Sequence, residues 1–396
     1  MATLILKPGR ERSLMRRHPW IFDTSVERID GPVRNGDTVL VARHDGTPLA
    51  RAGVSLASRI RARVWHFAPD SPVDHAFFRR RIAQAIARRL AHPQLRGQQG
   101  LRLVHGEADG LPGVILDRFG AVAVLQMTFA GAERWREAIV DAIRRALPEL
   151  EALYERSDSG ARRLEGLEPR SGLLFGTLPE TVVIEEYGVR LLVDVVQGHK
   201  TGFYLDQREN RRLAGQLADG ARVLNAFCYS GGFSLHALAG GAREVCSIDS
   251  SGPALELARR NLALDPALPA DRARWFEADV FTLLREWERD GERFDLVILD
   301  PPKFAPSAAH VPQARRAYRD VNLHGMRLVA PGGLLMTFSC SGGIGTEEFR
   351  EIVADCAAKN GRDAQVLTRL QAGADHPVGL AVPESEYLKG LLVRLE

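Results

Sequence analysis

The chain contains no apolar run long enough to cross a membrane, and its first ten residues carry no hydrophobic core of the kind that marks a secretion signal. The expectation is a soluble, cytoplasmic protein. Cysteine is scarce: Cys228, Cys246, Cys340 and Cys356 are the only four in 396 residues, with no C-x-x-C pair and no Cys/His cluster at metal-ligand spacing. Neither a disulfide framework nor a zinc site is indicated, so no metal is expected and each cysteine needs its own explanation. For an isolated cysteine that explanation is usually a small buried hydrophobe, which suits Cys246 in a strand and Cys356 in a helix. No internal repeat and no low-complexity tract occurs, which argues against a solenoid.

Net charge is also small, at +3, but it is unevenly spread. Residues 1–100 hold 18 Lys and Arg against 8 Asp and Glu, which leaves the remaining 296 residues at −7. A basic N-terminal quarter on a mildly acidic body suggests a polyanion-binding module joined to a catalytic one, although Arg79, Arg80, Arg81, Arg88 and Arg89 would also serve simply to solvate a helix. With 45% hydrophobic residues, the chain has material for more than one core.

What is present falls into three stretches. Up to residue 72, short apolar segments alternate with the turn signals Pro8-Gly9, Gly31-Pro32, Asn35-Gly36 and Asp45-Gly46, the pattern of compact β structure, with strands predicted over 39–41, 49–54 and 60–67. The breaker Pro69-Asp70-Ser71-Pro72 closes this block as a domain boundary. A helix is predicted over 73–90, then strands over 101–104, 114–116 and 121–127, a helix over 132–147 and a turn-rich connector over 160–176. From residue 222 the rhythm becomes regular. Strands over 222–227, 244–248, 273–276, 295–299 and 333–338 alternate with helices over 233–239, 253–264, 281–290, 314–328 and 347–359. Alternating βα units imply a parallel, doubly wound α/β sheet with ligands at the carboxyl ends of its strands.

The first of those strand ends carries Asn225-Ala226-Phe227-Cys228-Tyr229-Ser230-Gly231-Gly232-Phe233, a loop with two adjacent glycines that opens into a helix. It is not G-x-G-x-x-G. A dinucleotide pyrophosphate needs several glycines for close backbone approach, whereas an amino-acid carboxylate needs fewer, so the loop favours S-adenosylmethionine over NAD. Asp249 ends the second strand 18 residues after Gly231, where an acid accepts hydrogen bonds from ribose hydroxyls. Asp279, before Val280 and after the third strand, stands where an adenine amino group would be held; a helix N-cap is the equally plain reading. Cys228 lies inside this loop and would face the cofactor rather than a substrate.

The fourth strand ends in Asp300-Pro301-Pro302-Lys303-Phe304. The Pro-Pro pair fixes an extended ledge beside the cofactor. Such a ledge can serve amine methylation, in which a following aromatic stacks on the base, but here Lys303 holds that position and Phe304 comes one residue later. The fifth strand ends in Ser339-Cys340-Ser341. Carbon 5 of a pyrimidine is too weak a nucleophile to take a methyl group unaided, and a thiolate that adds to carbon 6 makes it enamine-like. Cys340, flanked by hydroxyls and glycines at a strand end, suits that role better than a structural one.

At these residues the sequence resembles the bacterial ribosomal large-subunit RNA methyltransferase I family, which makes 5-methylcytosine. The resemblance runs through Lys7-Pro8-Gly9-Arg10, His18-Pro19-Trp20-Ile21-Phe22, the stretch His105 to Gly113 that holds Asp109-Gly110-Leu111-Pro112, Gly202-Phe203-Tyr204-Leu205-Asp206-Gln207-Arg208-Glu209-Asn210, the Tyr-Ser-Gly-Gly loop, Asp-Pro-Pro-Lys-Phe and Ser-Cys-Ser. It implies a PUA-like RNA-binding β barrel over 1–72, a central α+β domain over 73–185 and a Rossmann-like class I methyltransferase domain over 186–396. It also implies ribosomal RNA as partner and a homodimer as assembly. S-adenosylmethionine would then be held by Gln207, Asn225, Phe227, Tyr229, Ser230, Gly231, Asp249, Asp279, Val280 and Asp300. Cys340 and Asp300 would be catalytic, and Lys303, Phe304, Lys7, Arg10 and Trp20 would contact RNA, although an aromatic such as Trp20 in a small β domain more often packs inward. Many RNA carbon-5 methyltransferases carry a second cysteine after the proline of the fourth-strand motif. Lys303 stands there instead, so the proton acceptor is left to Asp300 or a water it holds.

Overall fold

The computed structural model describes residues 2–305 and 310–396. The chain divides into two compact units, one of Met1–Ile184, Val193–Leu205 and Ala374–Ser385, the other of Glu185–Leu192, Asp206–Gly373 and Glu386–Glu396.

In the first unit, β1 (Thr3–Leu6), β2 (Trp20–Phe22), β3 (Val26–Asp30), β4 (Thr38–Ala42), β5 (Pro48–Val54) and β6 (Ile60–His66) form a sheet in the order β2-β6-β5-β4-β1-β3. The period-two pattern of the sequence turns Val39 and Val41, Ala50 and Ala52, and Ala62 and Val64 inward, where they pack with Leu4, Leu6, Leu14 and Ile21. A second sheet, ordered β11-β10-β9-β8-β7, is built from β7 (Gly100–His105), β8 (Val114–Phe119), β9 (Val122–Met127), β10 (Ala152–Ser157) and β11 (Arg170–Gly176). The helix His75–Ala91 covers it with Phe77, Phe78, Ile82 and Ile86, each side chain contributing about 1.5–3 kcal/mol by its burial. That helix begins where the Asp74 carboxylate accepts the Phe77 amide at 2.7 Å.

Two expectations for this unit are corrected. The single helix expected over 132–147 is two, Ala130–Arg134 and Arg136–Ala146, because Trp135 leaves helical geometry to donate its indole N–H to Thr38 Oγ1 at 3.1 Å and to pack on Phe78. The connector expected over 160–176 contains the strand β11, whose glycines masked its β character; Gly172 and Gly176 both take positive φ beside a register shift against β10.

The hairpin of β12 (Val182–Glu186) and β13 (Val189–Val193) lies where the chain passes between the units. The second unit is built on a seven-stranded sheet of β14 (Arg222–Ala226), β15 (Glu244–Asp249), β16 (Ala273–Glu277), β17 (Phe294–Leu299), β18 (Val329–Ser339), β19 (Ala364–Gln371) and β20 (Lys389–Leu395), in the order β16-β15-β14-β17-β18-β20-β19. The first five strands are parallel; β20 runs antiparallel to β18, and β19 antiparallel to β20. Val223, Leu224, Val297, Ile298 and Leu335 are buried apolar residues of central strands, as a sheet covered on both faces requires. The strand order reverses between β14 and β17, which opens a crevice at their carboxyl ends.

Candidate active site

The loop after β14 is held in a conformation that ordinary residues avoid. Phe227 and Tyr229 have φ of 62° and 48°, and Gly231 has φ of 78°. Two non-glycine residues in the left-handed region within three positions store strain of the kind concentrated at ligand sites. The surrounding structure fixes them. The Cys228 amide donates to Ile248 O at 2.9 Å, the Tyr229 amide to Asp249 Oδ2 at 2.8 Å, and the Asn261 side chain to Ser230 O at 2.9 Å. A side chain at Gly231 would meet the Trp275 ring at 2.9 Å, so the glycine is required twice, for its φ and for space.

Around this loop, buried polar atoms lack a protein partner. Asn225 donates to Ser234 Oγ at 2.8 Å but leaves its Oδ1 unpaired, the Ser230 hydroxyl is unpaired, and Gln207 accepts from Asn210 at 2.6 Å while its Nε2 is unpaired. A buried polar group without a partner costs about 1–3 kcal/mol, so such atoms are what a site waiting for a polar ligand retains. These residues fit the carboxylate, amine and hydroxyl groups of S-adenosylmethionine.

Asp249 is half-buried at the end of β15, with Oδ1 accepting the Ser251 amide at 2.9 Å and Oδ2 the Tyr229 amide. Each oxygen keeps a lone pair for a ribose hydroxyl. Asp279 is exposed and caps the helix Val280–Arg289 through the Thr282 amide and hydroxyl, at 2.9 and 2.8 Å, so the capping role weighed against adenine binding is present; Val280 behind it is buried. Cys228 is buried, and that burial, reinforced by the charge of Asp249, pushes its thiol well above the ordinary range.

The ledge after β17 begins at the half-buried Asp300, whose amide approaches Ala226 O at 3.5 Å. Lys303 points into solvent, while the Phe304 ring packs against Phe281 and Tyr318 with centroids 5.9 and 4.9 Å away. Phe304 therefore anchors the ledge as well as bordering it. Ser341 ties the ledge to the end of β18, since its hydroxyl accepts the Ala305 amide at 3.2 Å and pairs with the Tyr318 hydroxyl at 2.9 Å. Between Ser339 and Ser341, both fully buried, stands Cys340, half-buried; the other three cysteines are buried.

Sequence reasoning missed several residues of this unit. Tyr318 and Ser341 hold the ledge, and Lys389 of β20 donates to Ser341 O and Ile344 O at 2.8 and 2.6 Å. Behind the cofactor loop, Glu186 is paired with Arg211 through two bonds of 2.7 Å and with His236 at 3.0 Å. Burial alone would raise the Glu186 carboxyl, but Arg211 and His236 more than reverse it and hold it far below the usual carboxylate range. This pair joins the helix Arg208–Gln216, which starts beside Gln207, to the helix Gly232–Ala239 that opens from the glycine loop. The signal available for the C-terminal strand was the apolar run Leu391-Leu392-Val393.

The proposed RNA contacts near the N-terminus lie in the first unit. Lys7 and Arg10 are exposed, with the Lys7 ammonium donating to Thr24 O at 3.0 Å. Trp20 is half-buried, its indole N–H bonded to Glu107 at 3.0 Å, and it lines a cavity of about 230 Å³ with Arg10, His18, Phe22 and Glu384. Among the described residues no cluster of His, Cys, Asp and Glu could hold a metal ion, and no helix is long and apolar enough to cross a membrane.

Comparison with known proteins places this geometry. A profile described as S-adenosylmethionine-dependent methyltransferase matches residues 102–394, and one described as PUA-like domain matches residues 4–67. The ribosomal RNA large subunit methyltransferase I of Shewanella amazonensis is 49% identical over 391 residues, 98% of each chain, and that of Aeromonas hydrophila is 49% identical over 395 residues, 99% of each. The chain belongs to the ribosomal RNA large-subunit methyltransferase I family. Its fold also matches a candidate methyltransferase solved in complex with S-adenosylhomocysteine, at TM-score 0.86 and 22% identity over the full length of both chains. A Streptococcus mutans chain matches at TM-score 0.84, again over the full length of both chains, with 22% identity. A PUA-like domain at the N-terminus thus precedes a methyltransferase domain, and the family's reaction is S-adenosylmethionine-dependent methylation of large-subunit ribosomal RNA.

Proposed function

We propose that this enzyme methylates carbon 5 of a cytosine in large-subunit ribosomal RNA through a covalent bond between Cys340 and the base. The observation that carries the proposal is the placement of Cys340, the one thiol of four that is not buried, at the carboxyl end of β18 and joined through Ser341 to the Asp300 ledge.

The Cys340 thiolate adds to carbon 6, forming the S–C6 bond and moving the C5–C6 π electrons to carbon 5. S-adenosylmethionine, when bound, would supply an electrophilic methyl group to carbon 5 and leave as S-adenosylhomocysteine. Asp300, directly or through a water it holds, accepts the carbon 5 proton. The C5–C6 double bond re-forms and the thiolate leaves. Asn225, Ser230, Gln207 and Asp249 hold the cofactor during this sequence; Lys303 and, from the N-terminal domain, Lys7, Arg10 and Trp20 contact the RNA.

The test is 5-fluorocytidine in the target RNA, because a base cannot remove the carbon 5 fluorine as it removes the proton, which arrests the reaction at the covalent stage. The wild type should form a complex that survives denaturing electrophoresis, and Cys340→Ala should not. Efficient methylation by Cys340→Ala, with no adduct from the wild type, would instead assign the reaction to an exocyclic amine held by Asp300.

A further inference from the structure

Lys389 is the first residue of β20 and lies directly opposite Ser339 in the antiparallel ladder with β18. Its side chain is almost completely buried, and its ammonium donates to the carbonyls of Ser341 and Ile344 at 2.8 and 2.6 Å. Lys389 therefore touches the chain on both sides of Cys340, by backbone pairing before it and by side-chain bonds after it. A lysine buried to this degree is rare unless something recompenses the desolvation of its charge. Two neutral carbonyls are a partial answer, and no carboxylate forms an ion pair with it among the described residues.

We propose that Lys389 is a positioning residue for Cys340, tying the Ser341–Ile344 turn to the sheet and placing a fixed positive charge behind the thiolate. The inference rests on the reading of Cys340 as the nucleophile. The charged and titratable groups acting on Lys389 or on Tyr318 of the helix Val311–Arg327 are Cys340, Asp300 and Lys303 on the ledge, Glu348 on the helix Thr346–Lys359, and Glu386 just before β20. Three of these are carboxylates, and Asp300 and Cys340 both act on Tyr318. A second negative charge beside Asp300 is disfavoured unless a cation offsets it. Lys389 is that cation. Burial pulls its ammonium below the ordinary range, and the largest opposing influence is the charge of Cys340, ahead of Glu386 and Glu348. On ionisation the Cys340 proton goes to solvent, and Lys389 keeps its own.

The pH dependence of iodoacetamide alkylation, read on the Cys340 peptide by mass spectrometry in the intact chain, tests this without any turnover. An unassisted thiol has its midpoint near ~8.5, so a wild-type midpoint at or above that value overturns the proposal outright, whatever any variant does. The expected result is a midpoint below it, raised by about one unit or more in Lys389→Met and largely restored in Lys389→Arg. An unchanged midpoint in folded Lys389→Met also overturns it. Should Lys389→Met fail to fold, the wild-type midpoint and a Lys389→Arg midpoint that stays below ~8.5 decide the matter. Trapping with 5-fluorocytidine is separate: a shifted midpoint without an adduct would retain the electrostatic role of Lys389 and reject Cys340 as nucleophile.

Discussion

The amide of Tyr229 donates to Asp249 Oδ2 at 2.8 Å while Tyr229 itself holds a φ of 48°, so the acid at the end of β15 secures the strained turn that follows β14. Asp249 thus shapes the glycine loop, and under the proposed function the same carboxylate would hold the ribose of the cofactor. Replacing it by Ala removes an ionised hydrogen-bond acceptor from both, and S-adenosylmethionine affinity should fall by about 1.5–3 kcal/mol. Calorimetry with Asp249→Ala that returns the wild-type dissociation constant would take Asp249 out of the site.

Gly231 gives a sharper test of the loop. An alanine there must hold a left-handed conformation, at about 1–2 kcal/mol, and its Cβ must displace the Trp275 ring from 2.9 Å. Trp275 lies in β16, so Gly231→Ala should lower both the melting temperature and cofactor affinity. A variant with wild-type values of both would contradict this geometry.

The βα rhythm beyond residue 222 was legible because buried parallel strands are continuous apolar runs and the intervening helices are amphipathic; strand ends such as Asp249 and Leu299 fall within a residue or so of the expected positions. The first block was harder to read. β1, β2 and β3 are three to five residues long, too short for a period-two pattern to separate from loop. Lys389 and Tyr318 were illegible for a different reason. A lysine at the head of a strand and a tyrosine inside a helix look like solvated or core residues until the antiparallel β20 and the ledge bring them to Ser341. The Gln207 segment was visible only through family resemblance, since the buried side-chain nitrogen without a partner that marks it is a tertiary fact.

Acid should disturb the cofactor site through Glu186. Its carboxyl is held well below the unfolded value of 4.5, so the stability it contributes is present above that value and is lost as pH falls toward its lower native pKa. The melting temperature should therefore decline as pH drops below about 4.5, and Glu186→Gln should flatten that decline while lowering the neutral-pH value. Identical melting curves against pH for the two proteins would remove Glu186 as a source of acid lability.

The N-terminal domain should act through phosphate contacts. Lys7, Arg10, Arg12, Arg16 and Arg17 are all exposed within one short stretch, among the densest basic segments of the domain. Lys7→Gln with Arg10→Gln should weaken ribosomal RNA binding and lower the slope of log affinity against log salt by about one for each phosphate that is no longer neutralised. Cofactor affinity should not move. A salt slope equal to that of the wild type would mean that the basic surplus of residues 1–100 does not read RNA at these positions.

Ser341 is where the reaction geometry is most exposed to a small change. Its hydroxyl receives the Ala305 amide at 3.2 Å from the ledge and pairs with the Tyr318 hydroxyl at 2.9 Å, and all of these groups are buried. Ser341→Ala deletes one oxygen, strands the buried Ala305 amide at about 1–3 kcal/mol, and leaves the Tyr318 hydroxyl with Ser339. The loss falls between Asp300 and Cys340, not on Asn225, Ser230 or Asp249, so kcat should drop by one to two orders of magnitude, roughly the factor that a small misplacement of reacting groups costs, with cofactor affinity unchanged. Tyr318→Phe keeps the ring against Phe304 and Phe349 and removes only the hydroxyl, so it should show the same split at smaller amplitude. Parallel measurements of single-turnover methylation and S-adenosylmethionine binding decide between this and simple destabilisation, which would lower both together.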